Sequence, residues 1–124
     1  MDREKFERLV SRAIDGLPEE FLSRLENVDI VVADNPSRRQ LREAELGKNE
    51  TLLGLYEGVP QTERGTHYGL VLPDKITIFQ QPIEATCHRD AEITAEIQRV
   101  VKHEIAHHFG SSDARLDQIE KEDY

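Results

Sequence analysis

Apolar residues recur at helical intervals near the start of the chain, at Phe6, Leu9, Val10, Ala13, Ile14 and Leu17. Steps of three and four residues place them on one face, which predicts an amphipathic helix that Gly16 and Pro18 bring to an end. Pro18 then suits the first turn of a second, short helix through residues 18–27. The pattern changes at residues 28–34, where "VDIVVAD" is a β-branched run with the character of a buried strand. Residues 35–50 are polar and read as loop, with room for a helical turn. "TLLGLYEG" is a second strand candidate. Residues 59–69 are rich in Gly, Pro and Thr and read as an exposed loop. "LVLPDKITIFQQP" has strand character on both sides of a Pro-Asp turn, strongest at residues 76–79.

A long helix is predicted over residues 89–109, with Gly110 ending it by taking up the left-handed conformation. Ile93, Ile97, Val101, Ile105 and Phe109 form its apolar side. The remaining residues read as a short polar helix or tail. Helix–helix–strand–strand–strand–helix is the order of an α+β fold, a small sheet with helices packed on it.

Composition narrows the class. The 124 residues read as one domain spanning 1–124, large enough for a core without disulfides. Only one cysteine, Cys87, is present. A net charge of −9 disfavours nucleic acid as a partner. No basic-then-apolar leader and no run of about 18 apolar residues is seen, so no membrane is expected, and a cytoplasmic protein is the default. A monomer is the default oligomeric state.

The long helix carries the chemistry, in "VKHEIAHHFGSSD". At about 100° per residue, His107 falls roughly 40° from His103, so both imidazoles leave one face and can meet one ion. Glu104 lies about 100° around, beside the pair, where a carboxylate can hold an attacking water and accept its proton. Gly110 lets the chain turn back, and Asp113 follows three residues later as a third ligand; a carboxylate oxygen binds zinc at about the imidazole distance. His108 lies about 140° from His103, toward the apolar arc, and reads as a core or supporting histidine. Glu96 shares the histidine face too far upstream to coordinate, and with Arg99 reads as a solvated ion pair. Cys87 reads as an idle thiol.

"HEIAHHFGSSD" fits H-E-x-x-H-x-x-G-x-x-D, and with "GLYEGVPQTERG" and "LPDKITIFQQPIE" the chain resembles the small bacterial zincin-like metallopeptidases, the minimal zincins. The likeness covers the later three quarters of the chain. It implies a three- or four-stranded mixed sheet packed by an N-terminal helix and a long active-site helix. It also implies one Zn2+ on His103, His107 and Asp113, Glu104 as catalytic base, and a peptide or protein substrate. Metzincins place His where Asp113 stands and add a methionine turn, whereas Met1 is the one methionine here. Gluzincins need a glutamate from a further helix, and Glu120 and Glu122 sit in a polar tail.

His67 and Tyr68 are candidate substrate-binding donors to an oxyanion. An extended peptide is expected to add to a sheet edge near residues 68–72 or 76–79. Three functions stay open: a zinc peptidase, a non-catalytic zinc-binding domain serving stability or partner binding, and a hydrolase of a non-peptide amide. Iron suits two histidines and a carboxylate as well, although the H-E-x-x-H helix favours zinc.

Overall fold

Asp2 starts the first helix of the chain by accepting the Lys5 N–H at 2.7 Å, in a computed structural model that describes residues 1–44, 51–58 and 73–109. Helix α1 (Arg3–Asp15) buries Phe6, Leu9, Val10 and Ala13. Gly16 closes it, its N–H donating to the Arg12 and Ala13 carbonyls. Pro18 precedes α2 (Glu19–Leu22), and a 3-10 turn at Ser23–Leu25 leads to strand β1 (Val28–Ala33).

The polar segment after β1 holds a real helix, α3 (Arg38–Glu43). Ser37 and Gln40 cap it reciprocally: the Gln40 N–H donates to Ser37 Oγ at 3.0 Å and the Ser37 N–H to Gln40 Oε1 at 2.9 Å. Strand β2 (Gly54–Glu57), strand β3 (Asp74–Phe79), helix α4 (Gln80–Thr86) and helix α5 (Asp90–Phe109) complete the described elements. Helix α4 starts where the sequence pattern suggests the tail of a strand. Its Pro82 looks like a breaker, but it stands in the first turn, where backbone N–H groups have no helical partner to lose.

The three strands form one mixed sheet in the order β1-β3-β2. β1 runs parallel to β3, Val28 opposite Asp74 through Ala33 opposite Phe79. β2 runs antiparallel to β3, with Gly54 opposite Ile78 and Tyr56 opposite Ile76. Two expectations do not hold. Residues 76–79 are no sheet edge: β3 is paired on both sides, which is why Ile76, Thr77, Ile78 and Phe79 are all buried. Asp74 is the first residue of β3 rather than part of a turn. Among the described residues, the open edges belong to β1 and β2.

Helix α5 lies against α1 and the sheet. Ile93, Ile97, Val101 and Ile105 are buried as their four-residue spacing predicts, Val100 joins them, and Phe109 packs half-buried at the end. Each fully buried Ile or Phe contributes roughly 1.5–3 kcal/mol over an exposed one. That apolar anchorage fixes the rotation of α5, and therefore the direction in which its histidines project.

Gly54 sets how closely β2 approaches the helix. A Cβ there would sit 2.5 Å from Val100 Cγ1 and 3.2 Å from the Thr77 carbonyl oxygen. Gly54→Ala is therefore expected to lower stability by about 1–3 kcal/mol, the usual cost of overpacking. Urea unfolding measures it, and Val100→Ala in the same chain should recover part of the loss.

Candidate metal centre

His103 and His107 are both exposed on α5, one turn apart and opposite the buried isoleucines. Their ring centroids are 6.3 Å apart with the planes tilted by 59°. Glu104 is half-buried beside them. One donor atom from each of His103, Glu104 and His107 fits within 4.8 Å of the others. Two nitrogens bound about 2 Å from one tetrahedral zinc lie roughly 3.3 Å apart. Small rotations of two exposed imidazoles close the difference, so this donor set fits a divalent ion of the zinc type.

The three side chains open onto a cleft of about 690 Å³ between α5 and the outer edge of β2, bordered also by Gly54, Tyr56 and Arg99. Antiparallel pairing alternates the direction of backbone groups along a strand. The Leu53 carbonyl accepts the Phe79 N–H at 3.0 Å and so faces β3. Gly54 and Tyr56 thus turn their backbone groups outward, into the cleft. The Tyr56 N–H donates to Glu104 Oε1 at 3.0 Å, which ties the carboxylate to the strand.

Tyr56 makes further contacts around the site. Its hydroxyl donates to Asp74 Oδ2 at 2.6 Å. Its ring stacks on the His108 imidazole, centroids 3.8 Å apart and planes 16° from parallel. His108 meets Phe109 edge-on at 4.9 Å, and the Arg24 guanidinium lies over the Phe109 ring. His108 is exposed and does not enter the core. The apolar face of α5 runs out at its last turn, and an aromatic stack takes its place. The sequence marks the stretch around Tyr56, in "GLYEGVPQTERG", but not the bond it makes, because a backbone N–H has no motif.

Arg99 pairs with Glu96 at the side of the cleft. Cys87 is a free, half-buried thiol packed against the core and does not line the cleft. The third expected ligand, Asp113, lies outside the described residues, as do Gly110, His67 and Tyr68. No helix among the described residues is long and apolar enough to cross a membrane.

Comparison with known proteins bears on the family and the fold. The family profile described as zincin-like metallopeptidase matches residues 25–123. No curated protein matches the sequence. A conserved hypothetical protein from Thermus thermophilus is similar in structure, with a TM-score of 0.56 and 22% identity over 92% of this chain and 99% of that one. At that identity the likeness speaks for the fold alone. A match over most of the sequence, joined to a mixed α+β fold with paired histidines on its long helix, means that the chain belongs to the zincin-like metallopeptidase family.

Proposed function

We propose that the protein is a zinc-dependent peptidase acting on extended peptide segments. What supports this reading is the convergence of two imidazoles and one carboxylate on a single turn of α5, at a cleft walled by the edge of β2 that no other strand pairs among the described residues. In this reading His103, His107 and Asp113 hold zinc, which when bound polarises the scissile carbonyl and lowers the pKa of a water toward about 7. Glu104 takes the proton of the attacking water and returns it to the leaving amine nitrogen. Because Oε1 is engaged by the Tyr56 N–H, Oε2 is the oxygen that carries the proton. The substrate lies along β2, main chain to main chain, against the outward groups of Gly54 and Tyr56. His67 and Tyr68 are the proposed donors to the developing oxyanion.

A second reading rests on the same triad. The Glu104 carboxylate is close enough to both imidazoles to act as a ligand itself. A site closed in that way would serve stability or partner binding without hydrolysis.

Protein purified without added metal is expected to carry one zinc per chain by elemental analysis. A peptide-library digest is expected to show cleavage that a chelator stops and zinc restores. Iron in place of zinc would reassign the metal. A zinc-loaded chain that leaves the whole library intact would overturn the peptidase reading in favour of the second.

A further inference from the structure

We infer that Tyr56 is a positioning residue for Glu104, and that its stack on His108 is what sets the position. The catalytic part of this inference rests on the peptidase reading; the structural part does not.

Glu104 has several rotatable bonds and stands beside the two imidazoles on the same helix. Nothing within α5 fixes where its carboxylate points. The fixing contact comes from 48 residues away, the Tyr56 N–H at 3.0 Å. A charged acceptor makes this a strong hydrogen bond, but only while the strand stays in place. β2 is short and, among the described residues, lies at the edge of the sheet, the part of a fold most apt to fray.

Three contacts hold it at this point. Gly54 closes directly on Val100 with no space for a side chain. The Tyr56 hydroxyl is bonded to Asp74, the first residue of the central strand. The Tyr56 ring lies flat on His108, four residues beyond Glu104 on α5. Gly58, just past the strand, would bring a Cβ to 3.6 Å from Asp74 Oδ1 and 3.9 Å from His108 Cε1, so the end of β2 is packed into the same corner. The stack thus spans strand and helix directly beside the hydrogen bond it protects. The Tyr56 N–H is thereby taken by Glu104, so that among the described residues Gly54 supplies the other outward N–H of β2.

Amide hydrogen exchange on the metal-free protein tests the structural part. An outward edge-strand amide exchanges quickly unless something accepts its hydrogen bond. The Tyr56 amide is expected to be slow in the native chain and fast in Glu104→Ala, with β3 protection intact. Glu104→Leu serves if the alanine variant fails to fold. His108→Ala is expected to speed Tyr56 exchange, and His108→Phe, which restores a flat ring, to slow it again. An unchanged Tyr56 amide in both Glu104 variants would overturn the inference, whether or not the chain cleaves peptides. Kinetics tests the catalytic part. His108→Ala is expected to lower kcat roughly tenfold to a hundredfold, as for a displaced catalytic group, with a smaller rise in KM from the loosened strand, zinc content preserved and recovery in His108→Phe. A change in KM alone, or no recovery with phenylalanine, would overturn the positioning role. Absence of hydrolysis in the native chain would count against the peptidase reading and leave the exchange result standing.

Discussion

Glu104→Gln is expected to lower kcat by about 10²–10⁴-fold, the usual worth of a positioned general base, while the chain still binds one zinc. Glutamine keeps the size of the side chain and an oxygen that can accept from Tyr56 N–H. What it removes is the ability to take a proton, so the strand and helix should stay as they are. Elemental analysis and steady-state kinetics on the same preparation separate the roles open to this carboxylate. Loss of activity with zinc retained assigns it the base role. Loss of zinc assigns it to the ligand set, a role its closeness to both imidazoles permits. Activity undiminished would mean that proton transfer is done elsewhere, and Glu104 would lose its place in the mechanism.

The parts of this site that are legible in the sequence are local ones. An i, i+4 histidine pair needs only helical geometry to be read, and the buried isoleucines at every fourth position tell which way the pair must face. Strands β1 and β3 announce themselves by β-branched residues. The order of the strands does not, since pairing joins residues distant in the chain. The strand expected at an edge is the centre of the sheet. Helix α4 begins inside a segment whose pattern reads as strand, and its Pro82 stands in the first turn, where it costs no helical hydrogen bond. For His108 the sequence offers only the helical wheel. The wheel gives a direction but not how far the core extends, and at the last turn of α5 the neighbour in that direction is Tyr56. The bond from Tyr56 to Glu104 has no sequence signal at all, because its donor is main chain.

His107→Ala is expected to abolish both metal binding and hydrolysis without unfolding the protein. His103 and His107 are exposed and lie off the packed face of α5, so neither belongs to the apolar core of the described residues. Surface changes of this kind usually alter stability by no more than about 0.5 kcal/mol. The metal-free variant should therefore unfold in urea much like the metal-free native chain. The difference appears when zinc is added. A ligand that binds only the folded state stabilises it by about 2.7 kcal/mol at one hundred times its dissociation constant. The native chain should gain that increment and His107→Ala should not, because one remaining imidazole no longer chelates. Losing a partner that merely orients a ligand typically costs about 10–100-fold in metal affinity, so a loss well beyond that marks a direct ligand. Asp113→Ala, measured in the same way, places the third proposed donor on this scale. Equal zinc-dependent stabilisation of the native chain and His107→Ala would show that the ion sits elsewhere, and the paired histidines would then be no more than the polar side of a helix.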